Sequence, residues 1–155
     1  KKHGILNEDH QLIPEASEAL ERGVLFDVGH GTSSFSYETL LKFRKNYSHA
    51  FSISTDIYLN NYPSPVGSLM LTMSKLLGLG FSLEDIVKSV TIKAAQAIGL
   101  TEQGSLKVGT RADLTIFTLK EETTDLMDSE GVVIKGNNIL QPKITIKDGK
   151  VVLSK

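Results

Sequence analysis

Two residues of this chain combine useful chemistry with an exposed-loop context. His30 lies between Gly29 and Gly31, directly after the apolar run 24–28. Asp56 follows a second apolar run, 50–54. Flanking glycines let backbone and ligand come close, and an imidazole at such a strand end suits a zinc-like divalent ion. The other reading of His30 is a ring that hydrogen-bonds to a loop carbonyl. Asp56 has three chemical uses: metal ligand, general base, or both for one activated water. It also fits a plain turn, capping the amides of Tyr58 or Leu59. A catalytic zinc site takes three protein ligands plus water. His30 and Asp56 do not complete one, so any remaining ligands are expected upstream of Lys1.

Other polar residues carry weaker signals. Asp27 lies inside the first apolar run, where it would either orient a ligand or satisfy neighbouring backbone groups. His3, His10 and His49 sit in polar stretches and read as solvated. Tyr58, Asn60, Asn61 and Tyr62 would line a substrate mouth or simply form a surface loop. Ser33, Ser34 and Ser36 lack the G-x-S-x-G spacing of a nucleophile elbow. The glycine-rich loop before the next helix could receive an anion at the helix N-terminus, but it lacks the phosphate-loop lysine.

The elements that position these residues follow from local pattern. Pro14 at a first helical position and Gly23 as a stop predict a helix over 14–22. Residues 24–28 predict a strand, 36–46 a helix with Glu38 early and Lys42, Arg44 and Lys45 late, and 50–54 a second strand. Strand, polar loop, helix, strand is the grammar of a parallel α/β sheet. His30 and Asp56 then fall at the carboxyl ends of the strands, where such folds build their sites. Leu69, Met70, Met73, Leu76 and Leu77 predict a helix over 66–77. Ser82 with Asp85 predicts a capped helix running to Gly99. After Leu100 the pattern turns to strands, at 114–119, 132–135, 144–147 and 151–153, the last two joined by the Asp148-Gly149 turn. A boundary is therefore expected near Leu100.

Composition bounds the class. The 155 residues are 40% hydrophobic and 23% charged, with net charge -1, an ordinary globular balance. Without a basic excess, nucleic acid and anionic membranes are not expected partners. Without cysteine, thiolate zinc sites and cysteine nucleophiles are excluded, and a reducing, cytoplasmic setting is expected. No apolar run reaches the ~20 residues of a membrane helix. The chain opens on Lys1 in a polar stretch, which reads as a cut chain.

Together these residues resemble a known family. Val24-Leu25-Phe26-Asp27-Val28-Gly29-His30-Gly31, followed by Ser34-Phe35-Ser36, resembles the histidine strand of the amidohydrolase superfamily, in its deacetylase-like or dihydroorotase-like subgroup. Ile53-Ser54-Thr55-Asp56 resembles that family's final metal-site aspartate. Met73-Ser74-Lys75-Leu76-Leu77 resembles part of the helix that follows. Thr91-Ile92-Lys93-Ala94-Ala95 with Ile98-Gly99-Leu100 resembles its T-x-x-P-A…L-G-L region, with Lys93 in place of the proline. Residues 104–114 resemble the segment that returns to the small β-domain.

The resemblance implies an α/β fold: residues 1–100 as the C-terminal portion of a (β/α)8 TIM barrel, and 101–155 as strands of a small β-sandwich. It implies zinc, as one or two divalent ions, with His30 and Asp56 as metal ligands. The H-x-H pair, a carboxylated lysine and another histidine would lie upstream. The expected function is cleavage of a small-molecule amide or ester by metal-activated water, with Asp56 as catalytic base. Cyclic-amide hydrolysis and aminopurine deamination are the alternatives within enzymes, and a non-catalytic assembly module is the alternative outside them. An isolated partial barrel leaves open sheet edges. It is expected to be inactive alone, and to aggregate, form a homo-oligomer or require its N-terminal half as partner.

Overall fold

In the computed structural model, residues 4–47, 51–100 and 102–154 are described. His3 and His49 lie outside them. Alternation of short apolar runs with helical segments gives a mixed α/β chain. The first helix, α1 (Pro14–Glu21), starts on Pro14 after Ile13, whose side chain makes no capping hydrogen bond. It leads to β1 (Phe26–Gly29), α2 (Tyr37–Tyr47) and β2 (Phe51–Ser54). β1 and β2 pair in parallel, Phe26 opposite Phe51 and Gly29 opposite Ser54.

The period-2 alternation of strands divides this small sheet into two faces. Phe26, Val28, Phe51 and Ile53 pack in the core, where Phe51 meets Phe43 and Phe81 with ring centroids 5.7 Å apart in each case. Asp27 and Gly29 lie opposite Ser52 and Ser54 on the other face. There Asp27 accepts hydrogen bonds from the Ser52 hydroxyl at 2.7 Å and the Ser54 hydroxyl at 2.5 Å.

A wide helical turn, Tyr62–Val66, precedes α3 (Leu69–Gly78), which Ser68 caps by accepting from the Leu71 amide. α3 is buried on more than its apolar stripe, because it lies between β2 on one side and the C-terminal sheet on the other. Its polar residues are satisfied inside. Ser74 Oγ donates to Met70 O at 2.7 Å and accepts from Leu140 N at 3.0 Å. The helix expected from Ser82 to Gly99 is two: α4 (Leu83–Val90) and α5 (Ile92–Ala97), broken at Thr91. Ser82 and Asp85 form the expected cap, the Asp85 amide donating to Ser82 Oγ at 3.1 Å.

Beyond Leu100 the described elements are strands: β3 (Leu114–Met127), β4 (Val133–Lys147) and β5 (Lys150–Ser154), in one antiparallel sheet ordered β3-β4-β5. The two strands expected at 132–135 and 144–147 are the ends of a single β4. Pairing with β3 carries this strand through Gly136, Asn138 and Pro142. Leu140 belongs to the same hydrophobic cluster as Phe51 and Leu76, so the change of element type at Leu100 does not divide the core.

Candidate active site

The loops after β1 and β2 are stitched together. Parallel pairing continues past the strands, with His30 N donating to Ser54 O at 3.3 Å and Gly31 N to Thr55 O at 3.1 Å. Further out, the Thr32 and Tyr58 hydroxyls are 2.6 Å apart. Gly31 has φ +51°, and a Cβ built on it would lie 2.6 Å from both Asp56 Oδ2 and Ser34 Oγ. A side chain here would strain the left-handed backbone and force the Asp56 carboxylate and the Ser34 hydroxyl to shift.

Asp56 sits at φ +46°, a left-handed conformation uncommon outside glycine. Asn61 enforces it. Asn61 is fully buried, donates from Nδ2 to Asp56 O at 2.9 Å, and accepts the Tyr58 amide at 2.8 Å. The Tyr58 amide that a turn-forming Asp56 would have capped thus goes to Asn61. Asp56 itself is exposed. Among the described residues, none donates a hydrogen bond to its carboxylate.

His30 is the opposite case. It is 0% exposed and stacks on Phe35 at a centroid distance of 4.3 Å with planes 8° apart. Nδ1 lies 3.0 Å from Gly31 O, and Nε2 lies 2.7 Å from Lys75 Nζ. A carbonyl only accepts, so Nδ1 carries the proton and Nε2 accepts from the lysine. Burial lowers the imidazole pKa below its ordinary value, with the Lys75 charge adding to the shift.

Lys75 is 1% exposed. It also donates to Pro65 O at 2.5 Å. Burial brings its pKa down from 10.5 to about 8, although the charge of buried Asp128 pulls the other way. The sequence reading did not single out Lys75 as a site residue. The signal was present: at helical spacing its neighbours are Leu71, Thr72, Gly78 and Leu79, so no acid is placed to pair with it.

The turn between β3 and β4 grips the loop from outside. Ser129 Oγ accepts from Phe35 N at 3.0 Å and donates to Phe35 O at 2.9 Å. Asp128, 1% exposed, accepts the Tyr37 amide at 3.0 Å and the Glu130 and Val132 amides at 2.8 and 2.9 Å. The anion at the N-terminus of α2 is thus the chain's own Asp128 carboxylate. Ser34 and Ser36 are also engaged, with Gly29 O and Glu130 respectively.

For a divalent ion, Asp56 fits as a ligand: an exposed carboxylate free of described hydrogen-bond donors. His30 as placed offers no free lone pair. Among the described residues no group of three or more His, Asp or Glu side chains is arranged to hold a metal. Nor is any helix of the described residues long and apolar enough to cross a membrane.

A polar carboxylate site at the carboxyl ends of parallel strands, backed by helices, is the layout of an α/β ligand or catalytic site. The chain belongs to the amidohydrolase family, whose model matches residues 14–152. It is 39% identical over 153 residues to a deacetylase of Enterococcus faecalis, covering 97% of this chain and 42% of that protein. A deacetylase of Brucella anthropi is 34% identical over 94% of the chain and 36% of its own length. Among solved structures, an adenine deaminase superposes with TM-score 0.89 at 38% identity, over 97% of this chain and 42% of that one. A dihydroorotase superposes with TM-score 0.80 at 32% identity, over 92% and 39%. The chain therefore spans about two fifths of the length of these relatives.

Proposed function

We propose that this chain is the C-terminal portion of a (β/α)8-barrel, metal-dependent hydrolase that cleaves an amide or ester of a small molecule, in the manner of a deacetylase. The observation that carries the reading is the Asp56 carboxylate, exposed at the end of β2 and held there by Asn61 and Gly31. The similarity to curated deacetylases supports the substrate class. The partial barrel is supported by β1 and β2, which pair only with each other among the described strands. It is supported equally by the share of each relative that the chain covers.

Asp56 would do two things. One carboxylate oxygen would hold a divalent ion, zinc by the chemistry of the family, completed by ligands from the rest of the barrel. Such an ion would supply Lewis-acid polarisation and lower the pKa of bound water towards ~7. The other oxygen would take the proton of the attacking water and hand it to the departing amine or alcohol. Thr32 and Tyr58, linked across the two loops, would flank the entering substrate.

The test is Asp56→Asn in the full-length protein, assayed on N-acetylated amines, acetyl esters, dihydroorotate and adenine. Loss of turnover on an acetylated substrate with the fold retained supports the reading. Normal turnover in the variant overturns the base role, and activity confined to adenine or dihydroorotate overturns the deacetylase class.

A further inference from the structure

We infer that His30 and Lys75 form a buried positioning pair, not a metal-binding one, that fixes the turn beneath Asp56. The inference rests on the proposed role of Asp56 for its functional meaning, but its geometry stands alone. Both ring nitrogens of His30 are used inside the protein: Nδ1 at Gly31 O and Nε2 at Lys75 Nζ. The ring itself is sealed from solvent against Phe35. A ligand must turn a lone pair towards its ion, and this ring has none to turn.

What the pair achieves follows from what it touches. The Nδ1 bond holds the carbonyl of Gly31, the residue whose missing side chain accommodates Asp56 Oδ2. Lys75 holds the far side of the ring and, through Pro65 O, the turn that leads into α3. Phe35, which stacks on the ring, is in turn clamped by Ser129. His30 is thus the point where α3, the β1 loop and the β3–β4 turn meet. Moving it shifts the floor under the Asp56 carboxylate without touching that carboxylate. An ångström of misplacement at a catalytic group can cost about 100-fold in rate.

The experiment uses the full-length protein with its natural metal complement and three variants: His30→Gln, Lys75→Met and Asp56→Asn. The expected result is that His30→Gln retains the wild-type number of metal ions per protomer by elemental analysis, while kcat falls about 10- to 100-fold. The ¹⁵N spectrum of wild type should show His30 protonated on Nδ1 and accepting on Nε2. Lys75→Met should shift the Nε2 resonance towards that of an acceptor without a partner. Loss of a metal ion in His30→Gln, or a wild-type ring protonated on Nε2, overturns the inference. Should Lys75→Met fail to fold, the wild-type tautomer and the His30→Gln metal count still decide. If Asp56→Asn keeps full turnover, the functional reading fails while the tautomer and the metal count judge the positioning pair separately.

Discussion

Lys75 Nζ lies 2.7 Å from His30 Nε2, joining residues 45 positions apart in a site sealed from solvent. A lysine at this depth is costly unless its charge is solvated by the protein. Here the solvation comes from an imidazole lone pair, the Pro65 carbonyl and the more distant charge of Asp128.

The cost should be visible as a pH dependence of stability. The folded pKa of Lys75, about 8, lies below its ordinary 10.5. Below pH 8 the ammonium is charged in both folded and unfolded states, and the burial penalty is present in full. Between 8 and 10.5 the unfolded chain holds the proton that the folded chain has released, so stability rises with pH. The rise attributable to Lys75 is at most about 3 kcal/mol. The depressed pKa of His30 acts at the other end: stability falls as pH drops below 6.5, because the unfolded imidazole takes its proton first. Urea unfolding from pH 5 to 10.5 should show both limbs in the wild type, the alkaline one reduced in Lys75→Met and the acid one reduced in His30→Gln.

Gly31→Ala tests the fit between loop and carboxylate. The new methyl would meet Asp56 Oδ2 and Ser34 Oγ at 2.6 Å, at a residue with φ +51°. The left-handed backbone alone costs about 1–2 kcal/mol. The carboxylate must also move, so turnover in the full-length protein should fall about 100-fold. A variant of normal activity but reduced stability would show that Asp56 adapts freely, and the tight fit would then have no catalytic meaning.

Much of the frame is local and was therefore legible. The Asp148-Gly149 turn has positive φ at both positions, 50° and 74°, as the sequence pair predicts. Ser82 and Asp85 mark a helix start by chemistry confined to four residues. The misread elements depend on distant partners. The helix from Ser82 breaks at Thr91, where Gly104 packs so closely that a Cβ there would lie 2.8 Å from the Ile92 and Thr91 backbone. β4 runs through Gly136 and Pro142 because β3 lies beside it. The position of Asp56, exposed just past the end of β2, was legible from its place after an apolar run. The engagement of both His30 nitrogens was not, since Lys75 reaches it from another helix. Asp27, which the sequence leaves open between orienting a ligand and satisfying neighbouring backbone groups, accepts the Ser52 and Ser54 hydroxyls.

The grip of the β3–β4 turn should be measurable by truncation. Asp128→Ala removes the acceptor for the Tyr37, Glu130 and Val132 amides. The Tyr37 amide is buried, and leaving it unpaired costs about 1–3 kcal/mol, while the part-buried Glu130 and Val132 bonds are each worth about 0.5–1.5 kcal/mol, so a loss of about 2 kcal/mol or more is expected by chemical unfolding. Ser129→Ala, which frees the Phe35 amide, should cost about 1–2 kcal/mol. Equal, small losses in both variants would place the strength of this contact in apolar packing instead.

Asn61→Ala separates the backbone support of Asp56 from its side-chain chemistry. Asn61 hydrogen-bonds Asp56 at its main-chain carbonyl, and it also holds the Tyr58 amide. Removing it frees a left-handed residue to relax towards ordinary backbone geometry, which carries the carboxylate away from Gly31. The two part-buried hydrogen bonds lost, at the Tyr58 amide and the Asp56 carbonyl, should each lower stability by about 0.5–1.5 kcal/mol. If the left-handed geometry serves the reaction, kcat in the full-length protein should drop while KM stays near the wild-type value, because the missing interaction orients a reacting group and does not bind the ground state. Asn61→Asp retains the acceptor for Tyr58 but loses the donor to Asp56 O. It should therefore recover part of the stability and little of the rate. Recovery of the rate in Asn61→Asp would instead place the importance of Asn61 in the Tyr58 amide and the loop mouth.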